Sequence, residues 1–304
     1  MTRNVSLSRR SMLRGGLAVS AGLLTTGYLG GIPASAADGS TIYRELRALE
    51  QRHSARLGVY AVNTKTGATV AYRAQERFPL CSTFKTLAAA AVLRDLDRDG
   101  EFLDKVIRYT EKDLVNGSPI TKDHVGEGMR VGDLCAAAIC YSDNTAGNLL
   151  LRQLGGPGGV TGFCRSIGDH RTRLDRWEPE LNTAIPGDPR DTTTPGAIGR
   201  DYGRLVLGDA LDPGDRARLT GWLKANTTSG KRFGAGLPDD WELGDKTGSG
   251  DYGTTNDVGV AWTADGTPIV LAVLSTKHTQ DAAYDDLLIA DTARLLPGSL
   301  APGS

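Results

Sequence analysis

Histidine and cysteine are scarce, four of each in 304 residues, and no histidines fall in the HExxH-like spacing that would hold a catalytic zinc. Cys81, Cys135, Cys140 and Cys164 show no paired metal-ligand spacing, and a chain of this length does not depend on disulfide staples. A zinc enzyme and a disulfide scaffold are set aside, and neither a metal nor any other cofactor is expected. Net charge is nearly absent too: 35 Lys and Arg against 36 Asp and Glu give −1, with the two signs interspersed. Such a surface is not built to capture nucleic acid or an anionic membrane, which leaves a small molecule as the expected partner. There is no internal repeat or low-complexity tract. With 39% hydrophobic residues the chain can bury a sizeable core, and a globular monomer is expected.

The mildly apolar run near the start, Gly15 to Leu29, is short and broken by glycines, which counts against a transmembrane anchor. It follows Arg3, Arg9, Arg10 and Arg14 and ends at Ala34-Ser35-Ala36, the layout of an export signal with a small-residue cleavage site. Ser8-Arg9-Arg10-Ser11-Met12-Leu13 resembles the twin-arginine type, whose cargo crosses the membrane already folded. Residues 1–36 are therefore read as a signal and 37–304 as the catalytic domain. The expected location is extracellular or periplasmic, with no membrane attachment once the signal is gone.

In the remaining chain a helical pattern from Thr41 to about Arg56 precedes a hairpin, Leu57 to Val62 and Ala68 to Tyr72, turning at Asn63-Thr64-Lys65-Thr66-Gly67. The stretch Thr83 to Asp97 is too continuously apolar for a surface helix, so it is expected to be buried on nearly all sides. From Val131 to about Gly208 the pattern is mostly helical, interrupted by a long irregular segment, Asp175 to Thr194, rich in Pro, Asp and Thr. Loops of that length are uncommon without a role. Three strands follow the helical Pro213 to Asn226 region: Trp241 to Thr247, Thr255 to Thr263 and Thr267 to Ser275. A closing helix runs from about Gln280 to Leu296. Strands from both ends of the chain must share one sheet. The expected fold is an α/β lobe, an antiparallel sheet flanked by helices, packed against an all-helical lobe of about 74–220, with the site in the cleft between them.

Three short patterns carry chemistry. Ser82-Thr83-Phe84-Lys85 puts a hydroxyl and an amine one turn apart on one face at the start of the buried helix, where free N–H groups favour developing negative charge. A serine nucleophile needs a nearby base, and a partly desolvated lysine can be one. Ser142-Asp143-Asn144, between two helical patterns, offers a second hydroxyl and an amide. Lys246-Thr247-Gly248-Ser249-Gly250 ends a strand with a cation, two hydroxyls and glycines that let a ligand approach the backbone. Singly these read as a helix cap, a turn and an ordinary strand exit. In this order and company they resemble the SxxK, SDN and KTG motifs of the penicillin-recognising serine enzymes.

The resemblance covers the whole mature chain, and Arg176-Trp177-Glu178-Pro179-Glu180-Leu181-Asn182 in the long loop places it with the class A β-lactamases. It implies acylation of Ser82, with Lys85 or Glu178 as the base, an oxyanion held by the backbone N–H groups of Ser82 and Ser249, and a proton relay through Ser142. It further implies deacylation by water held by Glu178 and Asn182, a loop neck closed by Arg176 and Asp191, Asn144 on the substrate amide, and Lys246, Thr247 and Ser249 facing its carboxylate. Penicillins and cephalosporins are the implied substrates, and antibiotic resistance the implied consequence. A D-alanyl-D-alanine peptidase or a non-catalytic β-lactam sensor is the alternative. Three departures from the family pattern stand out. Gly117 replaces the aromatic often found at the cleft entrance, ahead of Ser118-Pro119. Thr255 occupies a strand position that often carries arginine, while Arg232 sits where a subset of the family places a substitute guanidinium. Cys81 faces Gly250 rather than a second cysteine, which argues against efficient carbapenem turnover.

Overall fold

The computed structural model of the chain describes residues 34–302; the expected export signal lies outside the described residues except for its last three. The chain enters through helix α1 (Ala34–Arg52) and forms the hairpin β1 (Arg56–Asn63) and β2 (Thr69–Tyr72). Asn63 shapes the turn by accepting from the backbone N–H of Lys65 and Thr66. The short strand β3 (Phe78–Pro79) leads through a 3₁₀ turn, Cys81–Thr83, into α2 (Phe84–Ala91). Every residue of α2 is buried, as its unbroken apolar pattern requires, and a π-helical turn at Val92–Leu96 ends it.

The helical lobe continues through β4 (Val106–Ile107) and β5 (Met129–Arg130), which pair with each other, then α3 (Val131–Cys140), α4 (Asn144–Gln153) and α5 (Pro157–Ser166). After the long loop, β6 (Thr192–Thr193) pairs with β3 and starts α6 (Pro195–Val206), with Thr194 capping Ala197 N and Pro195 at the first helical position. Then come α7 (Pro213–Lys224), the short α8 (Phe233–Gly236), β7 (Glu242–Gly250), β8 (Thr254–Trp262), β9 (Pro268–Thr276) and α9 (Asp286–Leu300).

The five long strands form one antiparallel sheet in the order β2-β1-β9-β8-β7. Strand alternation sorts its two faces: Ile269, Leu271 and Val273 pack with α1, α8 and α9, whereas Val270, Ala272 and Leu274 join the core shared with α6 and the helical lobe. Burial on both faces explains why β9 reads as a nearly continuous apolar run. Among the boundaries that differ from the sequence reading, two bear on the site. Strand β7 does not end at the KTG motif but stays in register to Gly250, opposite Thr254. The closing helix starts at Asp286, not near Gln280, because the Asp285 side chain caps it by accepting from Leu288 N (3.1 Å), while pairing with Lys277 and His53.

Candidate active site

The 3₁₀ turn before α2 sets Ser82, the expected nucleophile. Cys81 takes a left-handed backbone (φ +46°), and Leu80 N donates to Asp191 O (2.8 Å), so the turn is tied to the end of the long loop. Ser82 stays 7% exposed, enough to be reached. One turn on, the buried Lys85 Nζ lies 2.9 Å from Ser82 Oγ, 2.8 Å from Ser142 O, 2.6 Å from Asn144 Oδ1 and 3.1 Å from Glu178 Oε1. The nitrogen has at most three N–H donors for these four oxygens, so its hydrogen bonds are shared and one of the contacts can be exchanged. Glu178 Oε1 is 3.5 Å from Ser82 Oγ, and its Oε2 accepts from Asn182 Nδ2. Asn182 Oδ1 is buried with no protein partner.

Glu178 is placed by backbone as much as by side chain. Asn148 on α4 accepts from Glu178 N and donates to Glu178 O, both at 2.9 Å. At the loop neck Arg176 Nε donates to Asp191 Oδ2 (2.6 Å), while Asp191 Oδ1 takes the N–H groups of Asp175 (2.7 Å) and Arg176 (2.9 Å). The implied Arg176–Asp191 pair is thus present. At the other side Asp251 N donates to Asn182 O (2.9 Å), fastening the loop to the end of β7.

The Ser142-Asp143-Asn144 turn is held by its middle residue. Buried Asp143 accepts from Ile120 N, Thr121 N and, as N-cap of α4, Ala146 N, at 2.8 to 2.9 Å. Asn144 Nδ2 donates to Asn116 O (2.7 Å), which leaves one of its N–H groups for a ligand. Gly117 has φ +80°, and a Cβ there would sit 2.7 Å from Asn144 Nδ2. Its left-handed backbone favours glycine, and a side chain there would have to displace the Asn144 amide.

Strand β7 supplies the facing wall. It lies close to the nucleophile turn because Gly248 has no side chain: a Cβ there would be 3.0 Å from Leu80 O and 3.2 Å from Cys81 Cβ. A Cβ on Gly250 would meet Cys81 Sγ at 2.8 Å, in line with the expected facing of these two positions; all four cysteines are free thiols. Lys246 is fully buried, and burial together with repulsion from Lys85 lowers its amine to about 7. Thr247 Oγ1 is 2.5 Å from Thr228 Oγ1. Arg232 is buried, not a free loop cation. Its Nε donates to Asp286 (2.7 Å), Nη1 to the carbonyls of Gly248 (2.9 Å) and Asn256 (2.8 Å), and Nη2 to Ser249 Oγ (2.7 Å). Four of five donors are engaged, so a bidentate grip on a carboxylate is not open to it and one N–H beside Ser249 is. Thr255 lies directly across from Ser249 and turns its hydroxyl to Gly253 O (2.9 Å).

The structure brings Ser82, the Ser142 carbonyl, Asn144 and Glu178 around the Lys85 amine with Asn182 on Glu178, and places Lys246, Thr247 and Ser249 along the adjoining strand, with Arg232 bonded to its Gly248 and Ser249. Sequence reasoning missed Asn148, whose signal was its i,i+4 spacing from Asn144 on a helix otherwise turning leucines inward. It also missed Asp245 and Asp257, a buried carboxyl pair under β7, served by Asn226 Nδ2 (2.8 Å) and Phe233 N (3.2 Å). Burial lifts both, Asp257 well above the usual carboxylate range, so the pair retains a proton. Away from the cleft, Cys164, Asp169 and Asp201 converge within 4.8 Å, but burial pushes Asp201 up to about 9 beside the Asp169 carboxylate. That is a proton-sharing acid pair, not an open ligand set.

Residues 41–297 match the β-lactamase enzyme family. A β-lactamase of Streptomyces lavendulae is 60% identical over 300 residues, spanning 96% of this chain and 97% of its own. The solved β-lactamase of Streptomyces albus G superposes with TM-score 0.85 at 61% identity over 86% of this chain and all of that one. A variant of the class A β-lactamase of the last common ancestor of Gram-negative bacteria gives 0.81 at 55% identity, over 84% and 97%. The antiparallel α/β lobe, the all-helical lobe and the groups gathered between them define the class A arrangement. The chain belongs to the β-lactamase enzyme family, and it is a class A enzyme, a hydrolase.

Proposed function

We propose that the protein opens the β-lactam ring of penicillins and cephalosporins through an acyl-enzyme on Ser82, cleared by water activated by Glu178, and so confers antibiotic resistance. The observation that carries this reading is the Ser82–Lys85–Glu178–Asn182 cluster. A carboxylate stands 3.5 Å from the serine, a span suited to a bridging water, beside a buried amide oxygen without a protein partner. Ser82 Oγ attacks the lactam carbonyl, its proton passing to Lys85 or, through water, to Glu178. The carbonyl oxygen is held by the N–H groups of Ser82 and Ser249. The C–N bond breaks as Ser142 relays a proton to the departing nitrogen. Water then attacks the ester carbonyl, giving one proton to Glu178, and Ser82 Oγ leaves as it is reprotonated. Asn144 takes the substrate amide; Lys246, Thr247, Ser249 and the remaining N–H of Arg232 take its carboxylate.

In this reading 37–304 is the catalytic domain, with about 74–220 as its helical lobe. It works as a monomer outside the cytoplasmic membrane after export by the twin-arginine route. Among the described residues no helix is long and apolar enough to cross a membrane. The test is to mix purified protein with a chromogenic cephalosporin. Many turnovers per Ser82 are expected; a single equivalent would indicate a D-alanyl-D-alanine peptidase or a sensor instead.

A further inference from the structure

A cavity of about 650 Å³ lies behind the long loop, sharing no residue with the catalytic cluster. Its outer wall is the distal limb 185–189, and its inner wall is built from Arg56, Arg77, Pro79 and the segment Thr276–His278 that leaves β9. Ala184, Ile185, Pro186 and Pro189 make the limb's side apolar, and Ile185 is 45% exposed there. The limb's hydrogen bonds stay local: Asp188 N to Ile185 O, Asp188 with Arg190, Thr192 Oγ1 to Pro189 O. None crosses the cavity to the inner wall. The charges are also unequal. Both lining carboxylates already hold arginines, Glu76 those of Arg56 and Arg73, Asp188 that of Arg190. Arg77, by contrast, donates only to neutral oxygens, Arg171 O and Thr192 Oγ1, each at 3.0 Å. The volume is that of a small-molecule site, its lining is mostly apolar, and its uncompensated charge is positive.

We propose that this cavity is a second ligand site, for a small aromatic carboxylate or sulfonate whose ring lies between Ile185 and Pro79 and whose anionic group meets Arg77. The site exists only while limb and inner wall face each other, so a ligand that fills it favours the docked limb by mass action. The limb begins three residues after Asn182, so the ligand acts as a clamp on the loop that carries Glu178 and Asn182.

The experiment titrates the folded protein with 2-naphthoate and, separately, with 2-naphthylmethylammonium, the same ring with the opposite charge. Amide chemical shifts and hydrogen exchange are followed throughout. Saturable shifts confined to 184–188 and 276–278 are expected with naphthoate, together with slower exchange across the limb. Binding of the cation should be weaker by about tenfold or more. Arg77→Gln, which keeps a donor for Thr192, should weaken naphthoate by a similar factor while leaving cephalosporin turnover unchanged, and Ile185→Asp, which replaces the apolar contact to the ring with a carboxylate, should abolish binding. Equal affinity for the two probes, no saturable shift at these amides, or shifts around Ser82 that a penicillin displaces would each overturn the proposal. Binding is read without hydrolysis, so a protein that takes naphthoate here but fails to turn over cephalosporin would count against the hydrolytic reading alone.

Discussion

The two walls of the cleft are built by different means. On the β7 side, Lys246, Thr247 and Ser249 sit in a strand whose register with β8 is fixed over nine residues, supported by the buried polar groups Asp245, Asp257 and Arg232 and the half-buried Asn226. On the loop side, Glu178 and Asn182 sit in irregular chain held by a few isolated clasps: the Asn148 side chain on Glu178, Arg176 on Asp191, and the backbone bond from Asp251 N to Asn182 O. A ladder distributes its support over many equivalent bonds, whereas a clasp concentrates it in one residue. Single substitutions should therefore grade the function of the strand wall but break that of the loop wall, which in the proposed mechanism is the wall that clears the acyl-enzyme.

The largest effect is expected at the neck. Asp191→Ala strips the acceptor from two backbone N–H groups and from Arg176 at once. It should cost on the order of 3 kcal/mol, the low end for a buried pair because Arg176 keeps some access to water. Urea unfolding should show the loss of stability, and rapid-mix kinetics should show deacylation slowed far more than acylation. If both steps fall equally, the neck supports the whole cleft and the contrast between the walls is lost.

Arg232→Ala tests the other wall. Losing the guanidinium frees Ser249 and the carbonyls of Gly248 and Asn256, and should lower kcat/KM for carboxylate-bearing penicillins by about 1.5 to 3 kcal/mol, with deacylation little changed. An unchanged kcat/KM would remove Arg232 from the substrate site.

The smallest effect is a shape rather than a loss. The Lys246 amine sits below its ordinary value, so in the free enzyme its charge is present below pH of about 7 and disappears above it. The kcat/KM for an anionic penicillin should bend downward above that pH, while kcat stays level further because the bound carboxylate retains the proton. Lys246→Arg should move the bend to higher pH, and a bend that stays in place would assign it to another group.

How much of this was legible in the sequence follows the same division. The strand wall was readable because a ladder leaves alternation and a motif in consecutive residues, although the strand runs three residues past the expected end, where Gly248 and Gly250 permit the close approach of the Cys81–Thr83 turn. The loop wall was readable only in part. Glu178 and Asn182 entered through resemblance, and their clasp Asn148 lies 30 residues upstream, a contact that no local pattern encodes. Arg232 shows the limit from the other side. Its position relative to the motifs suggested a substrate anchor, whereas its three bonds into the sheet and one to Asp286 could not be read there, because they depend on how β7, β8 and the start of α9 come together.

The central claim is that one wall clears what the other helps to bind. It is tested most directly by mixing Glu178→Ala with a penicillin and following the intact mass of the protein over time. A covalent adduct on Ser82 should form and persist, with its release slowed by about 10² to 10⁴, because the nucleophile and strand wall survive while the carboxylate that activates water is gone. Hydrolysis at the unaltered rate with no accumulating adduct would contradict the account.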